Sequence, residues 1–289
     1  MNGYQDPSAE LRARVALEKY RFHNTHSLGQ NFLLSDGLIS GLLDQIALSG
    51  DDHVLEVGPG AGVMTRQMAR RVKNVLAVEV DRGLEPVLSD VLEGLDNVRV
   101  EYQDIMKADL RALTAQAFDG ESYRVVANLP YYITADVLLR LTASDCPPKS
   151  IAVMVQREAA ERIMSAPGTK QWCALAAELQ YYGTPRVVAE IPPEAFDPPP
   201  HVISQFICIE SREDPRVRPS NDRLFRKLIR AAFAMRRKTL ANNLKASFGL
   251  DQQAAKEALN AAGLDERVRG EALTLIELAR LSDVIGKMQ

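Results

Sequence analysis

Short apolar runs rich in valine alternate with helical patterns through the first two thirds of the chain. The strand-like runs cover residues 53–57, 74–80, 97–104, 123–129 and 150–156. Helical spacing of apolar residues covers the segments between them, at 62–71, 84–92, 108–117 and 134–143. Near-continuous apolar strands joined by helices are typical of a parallel sheet that is covered on both faces. This part of the chain is therefore predicted to be an α/β domain.

Two later strand-like runs, 186–191 and 201–210, are separated only by a proline-rich loop. So short a connection suits an antiparallel pair and not another crossover. Together the runs predict a mostly parallel seven-stranded sheet with an antiparallel pair at one edge.

The strand signals end at Glu210. Residues 211–220 are polar and contain two prolines, which is typical of a linker. Helical spacing returns at 221–247, 251–262 and 271–288 and predicts a small C-terminal all-helical domain. We therefore divide the chain into an N-terminal extension (1–24), a sheet domain (25–210), a linker (211–220) and a helical domain (221–289). The extension is expected to form a helix with Asp6 as its cap and Pro7 in its first turn.

Composition narrows the class of protein. Apolar residues make up 46% of the chain and charged residues 25%, which is ordinary for a globular protein. The three cysteines, Cys146, Cys173 and Cys208, lie far apart and cannot all pair, which favours a reducing compartment. The N-terminus lacks the apolar run of a signal peptide, and no stretch reaches the roughly 18 apolar residues of a membrane span. We expect a cytoplasmic protein with no membrane partner.

The charge is distributed unevenly. The net charge of the chain is −3, but residues 216–247 contain ten basic residues, from Arg216 to Lys245, and one acid, Asp222. This segment carries +9 and the remainder carries −12, so the segment is a candidate footprint for a polyanion. The alternative is a solvated helix face. The candidate polyanion-binding residues are Arg223, Arg226, Lys227 and Arg230, which share one face by helical spacing, and Arg236, Arg237 and Lys238.

A glycine-rich turn, GPGAG at 58–62, follows the first long strand. Glycine lets the backbone turn tightly and approach a ligand closely. Glu79 ends the next strand, 21 residues after Gly58, where a carboxylate can accept hydrogen bonds from ribose hydroxyls. Asp104 ends the third strand and can accept from an adenine amino group, although an Asp after a strand is often an ordinary helix cap.

This arrangement suits a nicotinamide dinucleotide as well as S-adenosylmethionine. The spacing is G-x-G-x-G, and Val63 stands where the dinucleotide motif has its last glycine. S-adenosylmethionine has no pyrophosphate to place on the helix N-terminus, so the tighter turn favours it. A glycine turn without a ligand remains the third possibility.

The fourth strand ends in NLPYY at 128–132, a motif suited to holding the exocyclic amine of adenine. The lone pair of this amine is delocalised into the ring. The side-chain carbonyl of Asn128 and the main-chain carbonyl of Leu129 can accept its two N–H bonds. Pro130 stiffens the turn, and Tyr131 offers a flat face on which a base can stack. A proline turn with two core tyrosines is the structural alternative.

A second aromatic candidate is Phe196, which precedes a run of prolines in EAFDPPPH at 194–201. We expect the rigid prolines to hold Phe196 exposed, so that Phe196 and Tyr131 can enclose a base that has left its helix. The alternative is a phenylalanine that fills a hydrophobic gap.

The motifs taken in order are similar to the KsgA/RsmA family of small-subunit ribosomal RNA adenine dimethyltransferases. The resemblance extends from about residue 18 to the last helix. It rests on HSLGQNFL (26–33), EVGPGAG (56–62), VEVD (78–81), QD (103–104), NLPYY (128–132), FDPPP (196–200) and FAMRRKTLANNL (233–244).

This resemblance implies a Rossmann-like class I methyltransferase fold and S-adenosyl-L-methionine as cofactor. It implies that the cofactor-binding residues are Asn31, Leu33, Gly58, Glu79, Asp104 and Asn128. The catalytic residues that it implies are Asn128, Leu129, Pro130, Tyr131 and Phe196. The implied substrate is a pair of adjacent adenines in the 3′-terminal hairpin of small-subunit (16S) rRNA within a pre-30S particle, with a role in ribosome biogenesis. Without the family, Asn31 would not have been assigned to a cofactor.

The chain departs from the family pattern at three places. His26 stands where the family commonly has Lys, Trp172 and Cys173 replace Tyr-Gly, and His201 and Ile203 replace Lys and a polar residue. We expect these positions to lie in RNA-facing or loop segments and to affect substrate contacts and not methyl transfer.

Two other functions stay open. One is an Erm-type enzyme that methylates an adenine of large-subunit rRNA, and the other is mainly a non-catalytic ribosome assembly factor. In each case we expect a monomer without a metal ion.

Overall fold

The computed structural model describes residues 7–24, 28–212 and 217–288 of the chain. The strands are β1 (Phe32–Leu33), β2 (His53–Val57), β3 (Asn74–Glu79), β4 (Val98–Tyr102), β5 (Arg124–Asn128), β6 (Ser150–Gln156), β7 (Gly183–Ile191), β8 (Phe196–Asp197) and β9 (Ser204–Ser211). The helices are α1 (Ala9–Lys19), α2 (Asp36–Gln45), α3 (Val63–Ala69), α4 (Glu85–Val91), α5 (Leu110–Phe118), α6 (Thr134–Thr142), α7 (Arg157–Ile163), α8 (Ala174–Tyr182), α9 (Asp222–Ala234), α10 (Leu240–Phe248), α11 (Gln252–Ala261) and α12 (Leu275–Met288). No helix in these ranges is long and apolar enough to cross a membrane.

Seven strands form one sheet in the order β4-β3-β2-β5-β6-β9-β7. The first five of these are parallel to their neighbours, and β9 runs antiparallel to β6. The predicted fold class is therefore confirmed: an α/β domain with a mostly parallel seven-stranded sheet, together with a helical C-terminal region. Every residue of β2 is buried, because helices cover both faces of the sheet.

The structure divides into two compact units. The first holds the described residues up to Ala160 together with Arg186–Glu210, and the second holds Glu161–Pro185 together with the described residues from Ser211 onward. The predicted boundaries differ from this division because they leave residues 161–185 in the sheet domain. Those residues contribute Trp172 and α8 to the apolar core of the helical unit.

The N-terminal helix α1 packs on the first unit through three alanines, Ala9, Ala13 and Ala16. Its N-cap is Ser8, whose side chain accepts from the N–H of Leu11. Asp6, which we had expected to be the cap, lies outside the described residues.

A second, two-stranded sheet was not predicted from the sequence. Strands β1 and β8 pair antiparallel, with Phe32 opposite Asp197 and Leu33 opposite Phe196. Because each strand has only two residues, neither carries a periodic signal. The pairing joins the N-terminal GQNFL segment to the proline-rich loop.

In the second unit, helices α8 to α12 enclose a core that includes Trp172, Phe225 and Leu228. Trp172 is fully buried, and its indole Nε1 donates to the main-chain carbonyl of Leu273 at 3.1 Å. Trp172 lies in the loop before α8, as one of the two expectations had it, and its burial excludes the other, an RNA-facing indole. Cys173 is the N-cap residue of α8.

Two other positions that depart from the family pattern, His201 and Ile203, lie in the loop before β9. His201 is exposed in the loop before β9, and the carbonyl of Ile203 accepts from the N–H of Arg157. His26 lies outside the described residues, as does Arg216 of the basic segment.

The helical spacing over 221–247 does not form one continuous helix. Helix α9 ends at Ala234, and α10 begins at Leu240 with Thr239 as its N-cap residue. The side chain of Asn243 donates to the carbonyl of Ala232 at 3.0 Å and so satisfies a group left open at the end of α9. Residues 235–239 are therefore a turn, which is a correction to the prediction.

Candidate active site

The carboxyl ends of β2, β3 and β5 border a cavity of about 370 Å³ in the first unit. All six residues predicted to bind a cofactor line this cavity: Asn31, Leu33, Gly58, Glu79, Asp104 and Asn128. Parallel strands end at the same edge of a sheet, which is where ligands of open α/β sheets bind. The structure thus brings the six residues together, and their role as ligand contacts stays a prediction.

Two glycines shape the turn after β2. Gly58 has a φ of +70° and its N–H donates to the carbonyl of Val78, while no atom lies within 4 Å of the position that a Cβ would take. Gly60 has a φ of +54°, and a Cβ there would lie 2.9 Å from the ring of Phe32. Glycine at 58 therefore leaves room at the cavity wall, and glycine at 60 lets the GQNFL segment pack against the turn.

Backbone hydrogen bonds hold the carboxylate of Glu79. Its Oε1 accepts from the N–H of Asp81 at 2.8 Å and its Oε2 from the N–H of Gly60 at 3.3 Å. Burial raises the pKa of Glu79, and these two N–H groups oppose that effect. Each carboxylate oxygen has a second lone pair, so the group can still accept from two hydroxyls of a ligand.

Asp104 has a structural contact as well as a place in the cavity wall. Its Oδ1 accepts from the N–H of Met106 at 2.9 Å, and its Oδ2 lies 3.4 Å from Nζ of Lys107. The side chain thus caps the turn after β4 and not a helix, since the N-cap of α5 is Asp109, and it remains part of the cavity lining.

The orientation of the Asn128 amide follows from its partner. Nδ2 of Asn128 donates to the main-chain carbonyl of Asn31 at 2.9 Å. A carbonyl can only accept, so the NH₂ group must face Asn31 and Oδ1 is left as an acceptor. The carbonyl of Leu129 receives no hydrogen bond from any described residue. Two acceptors therefore remain available next to each other at the end of β5.

Hydrogen bonds to Pro130 and Tyr131 hold the turn that follows these acceptors. The carbonyl of Pro130 accepts from Oγ1 of Thr134 at 3.1 Å and from the N–H of Ile133 at 3.2 Å. The hydroxyl of Tyr131 hydrogen-bonds Oγ of Ser204 on β9 at 2.6 Å. Burial raises the pKa of Tyr131, so the phenol stays neutral at physiological pH.

Phe196 does not have the exposure that we expected. Its side chain is only 4% exposed, belongs to the apolar core of the first unit and does not line the cavity. Pairing of β8 with β1 directs this side chain into the core, and the prolines that follow do not hold it outside. The structure matches the alternative, a phenylalanine that fills a hydrophobic gap. A stacking role would require Phe196 to leave this position.

Residues 28–33, the strap, lie along one side of the cavity and were only partly anticipated. Within the strap, Nε2 of Gln30 donates to Oδ2 of Asp81 at 2.8 Å, and the carbonyl of Asn31 accepts from Asn128. The strap therefore contacts the chain just after β3 and at the end of β5. The sequence gives Gln30 no signal besides its place in GQNFL.

Glu56 is a further cavity residue that the motifs did not single out. It precedes the glycine turn on β2, is 1% exposed, and its Oε2 has no hydrogen-bond donor among the described residues. Burial raises the pKa of Glu56 to about 8. A buried acid with an open acceptor favours a cationic ligand, because a nearby positive charge stabilises its ionised form.

The seven candidate RNA-binding residues of the second unit differ in their surroundings. Arg223, Arg237 and Lys238 are exposed, and their side chains have no ion pair or hydrogen bond within the described parts of the chain. Nζ of Lys227 lies 4.5 Å from the ring centre of Phe248. These four can therefore meet an external anion directly.

The other three basic side chains have partners within the second unit. Arg236 donates to the carbonyl of Lys170 at 2.6 Å and lies 3.6 Å from Glu271. Arg226 and Arg230 both face the carboxylate of Glu178. The charge count therefore overstates the number of cations available to a polyanion.

Most of this chain matches a known protein family. The family model described as "Ribosomal RNA adenine dimethylase" matches residues 21–281. A protein named ribosomal RNA small subunit methyltransferase A from Geobacillus thermodenitrificans (strain NG80-2) is 41% identical over 287 residues, covering 98% of each chain. The protein of the same name from Clostridioides difficile (strain 630) is 39% identical over 278 residues, covering 96% of each.

Two solved structures have a similar fold. A dimethyladenosine transferase from Plasmodium falciparum gives a TM-score of 0.69 at 22% identity, covering 86% of this chain and 94% of that one. The 23S rRNA methyltransferase ErmE gives 0.64 at 22% identity, covering 89% of this chain and 100% of that one. At this identity the likeness shows the fold alone.

The raised pKa of Glu56 predicts a specific pH dependence of stability. Between the ordinary pKa of about 4.5 and the folded value of about 8, the folded protein keeps a proton that the unfolded chain releases. The free energy of unfolding should therefore fall as pH rises through this window, by up to about 1.4 kcal/mol per pH unit, and level off above it. Glu56→Gln should remove this contribution and be more stable than the parent at pH 8.5.

Urea denaturation at pH 5, 6, 7 and 8.5 without ligand measures the effect. Glu18→Gln, which changes an exposed carboxylate, is the matched control and should keep the parent slope. If the free energy of unfolding changed equally with pH in the parent and in Glu56→Gln, Glu56 would not be the group that causes the pH dependence.

Proposed function

Because this chain belongs to the ribosomal RNA adenine dimethylase family, we propose that it uses S-adenosylmethionine to dimethylate two adjacent adenines in the 3′-terminal hairpin of 16S rRNA. The acceptor is the exocyclic amine of each base, and the substrate is a pre-30S particle in the cytoplasm. One observation carries the proposal: the free acceptors of Asn128 and Leu129 lie at the same sheet edge as the cavity carboxylates.

The cavity suits this cofactor in volume and in chemistry. Its volume of about 370 Å³ is in the range of small-molecule sites. Glu79 is held to accept from two ribose hydroxyls, and Asp104 can accept from the adenine amine. Gly58 allows close approach, and the open oxygen of Glu56 complements a cation. When bound, S-adenosylmethionine supplies an activated methyl group on a positively charged sulfur.

Asn31 and Leu33 complete the proposed cofactor contacts from the strap. The main chain of Asn31 already holds the Asn128 amide, so one segment borders the cofactor and orients the catalytic side chain. This arrangement links occupancy of the cavity to the geometry of the acceptors.

The catalytic step is assigned to positioning. Oδ1 of Asn128 and the carbonyl of Leu129 accept the two N–H bonds of the adenine amine, which draws its lone pair away from the ring and onto nitrogen. Pro130 stiffens the turn, and Tyr131, fixed through Ser204, offers a face for the base. No strong base is required, because the amine proton becomes acidic once nitrogen has gained the methyl group. Orientation and electrostatics supply the rate.

The small-subunit substrate is favoured over the large-subunit alternative by the relatives named small subunit methyltransferase A at 41% and 39% identity. The test is methylation of small-subunit particles from cells that lack the modification, compared with bare large-subunit rRNA, followed by mapping of the methylated adenines. We expect methylation of two neighbouring adenines in the small-subunit RNA. Methylation of the large-subunit RNA instead would support the Erm-type alternative, and binding of NAD in place of S-adenosylmethionine would reject a methyltransferase.

Asn128→Ala removes one of the two acceptors and the hydrogen bond to Asn31. Loss of one such electrostatic contact typically lowers the rate on the order of 100-fold or more. We expect that loss in single-turnover methylation at saturating S-adenosylmethionine, while binding to small-subunit particles is retained. Asn128→Asp keeps an acceptor oxygen but cannot donate to Asn31, and it should also be impaired. A rate for Asn128→Ala within tenfold of the parent would contradict the proposed clamp.

Phe196 tests whether the proline-rich loop moves during catalysis. Phe196→Leu keeps an apolar side chain in the core and should cost less stability than truncation of a buried Phe to Ala, which typically costs about 3–5 kcal/mol. If Phe196 leaves the core to stack on the base, this variant should slow methylation about tenfold or more, since stacking contributes about 1–3 kcal/mol. S-adenosylmethionine affinity, measured by calorimetry, should stay near the parent value. Unchanged methylation would confine Phe196 to a packing role.

Arg237 and Lys238 are the exposed basic pair of the α9–α10 turn. Reversing both charges, Arg237→Glu with Lys238→Glu, should weaken particle binding and reduce the slope of log K against log salt by about 0.7–0.9 for each phosphate that the variant no longer neutralises. The matched control reverses two exposed charges elsewhere in the same unit, Arg267→Glu with Lys287→Glu. Equally weakened binding in both double variants would indicate a general charge effect and not a contact at this turn.

A further inference from the structure

A buried carboxylate in the second unit faces two of the candidate RNA-binding arginines. Glu178 lies on α8 and is 1% exposed. Its Oε1 lies 3.1 Å from Nε of Arg230, and its Oε2 lies 3.6 Å from Nη1 of Arg226. Burial of a charge is costly unless it is paired, so this carboxylate depends on the two guanidinium groups of α9.

Arg226 is committed to the protein interior. It is 12% exposed, its Nε donates to Oδ2 of Asp222 at 2.9 Å, and its guanidinium lies over the ring of Tyr181 at 5.1 Å. With carboxylates on two sides and an aromatic ring on a third, Arg226 has little surface to offer a phosphate. It links α8 to α9.

Arg230 has a different exposure although it shares the same carboxylate. Its side chain is 61% exposed. Its Nε donates to the carbonyl of Arg226 at 3.4 Å and lies 3.1 Å from Oε1 of Glu178, whereas its two terminal nitrogens make no hydrogen bond with the described residues. A guanidinium is a planar fork, so holding the Nε edge leaves the edge with both terminal nitrogens for an external anion.

The four charged side chains of this cluster, Arg226, Arg230, Asp222 and Glu178, orient one another more than they attract a polyanion. Burial raises the pKa of Glu178, and Arg230 and Arg226 oppose that effect. When Glu178 is ionised, its charge and that of Asp222 balance the charges of the two arginines. Oε1 of Glu178 has no hydrogen-bond donor of good geometry, so its hold on Arg230 depends on ionic attraction. An uncharged side chain of the same shape would lose that hold.

We propose that Glu178 is a positioning residue that aims the terminal nitrogens of Arg230 at a backbone phosphate of the RNA substrate. This inference rests on the proposed function, since it specifies how the same RNA is bound. The proposal also gives the two arginines on this face of α9 different roles. Arg230 contacts the phosphodiester, while Arg226 holds the carboxylate in place.

The decisive variant is Glu178→Gln, because two explanations predict opposite changes in its affinity for the RNA substrate. If the basic face acted only through its summed charge, removing a negative charge would tighten binding to a polyanion. If Glu178 positions Arg230, binding to small-subunit particles should weaken about tenfold despite the added positive charge. The matched control is Glu257→Gln, which removes an exposed carboxylate from α11 and should leave binding unchanged or slightly tighter.

Arg230→Lys tests the same contact without touching the buried carboxylate. It keeps the charge but lacks the planar fork, so binding should weaken by a similar factor. In an Arg230→Ala background, Glu178→Gln should weaken binding no further. Thermal unfolding followed by circular dichroism, with S-adenosylmethionine affinity as a readout of the first unit, checks that each variant is folded.

The outcomes separate this inference from the proposed function. Binding by Glu178→Gln that equals or exceeds the parent, or an equal weakening in the Arg230→Ala background, would overturn the positioning role. If Glu178→Gln fails to fold, parent-like binding by Arg230→Lys would overturn it as well. In all these cases the parent would still methylate small-subunit particles, whereas failure of the parent to do so would reject the function itself.

Discussion

The parallel register of three strands is the constraint on which the site depends. Val57 of β2 pairs with Val78 of β3 on one side and with Ala127 of β5 on the other. The residues that follow, Gly58, Glu79 and Asn128, therefore lie at one level along the sheet edge, although they are far apart in sequence. A slip of one residue in either pairing would turn a polar side chain into the apolar layer. The buried, valine-rich strands thus align the polar groups that the chemistry requires.

The strap forms one wall of the cavity at this edge. Gln30 contacts Asp81 beyond β3, Phe32 packs against Gly60, and Asn31 holds the amide of Asn128. Its last residues form β1, which pairs with β8 and so reaches the loop that carries Phe196. Contacts to the cofactor cavity and to the proline-rich loop are therefore made by one short segment. A shift of the strap would therefore change both the cavity wall and the position of the proline-rich loop.

The sequence could predict features that depend on neighbouring residues, and it could not predict features that depend on contacts between residues far apart in the chain. Strand and helix periodicity, the glycine turn and the spacing to Glu79 are local signals, and they led to the sheet and to polar groups at its edge that do share one cavity. Asn31 and Leu33 line the same cavity, but only the family resemblance pointed to them. The burial of Phe196 depends on the pairing of two dipeptides more than 160 residues apart, and no local pattern encodes it. The partners of the basic side chains could not be predicted for the same reason. Counting charges along α9 ignores the carboxylate of Glu178, which comes from another helix.

Glu56 of the first unit and Glu178 of the second are both buried carboxylates, and they differ in whether a basic side chain of the protein lies beside them. Glu56 lies in the cavity wall with an open oxygen and no basic partner within the described residues, and burial raises its pKa to about 8. Glu178 has its cations on the neighbouring helix, and these oppose the rise in its pKa that burial causes. An apolar residue at either place would avoid the cost of burying a charge. That both acids occur beside the groups proposed to meet the cofactor and the RNA is consistent with stability being given up for orientation and charge complementarity.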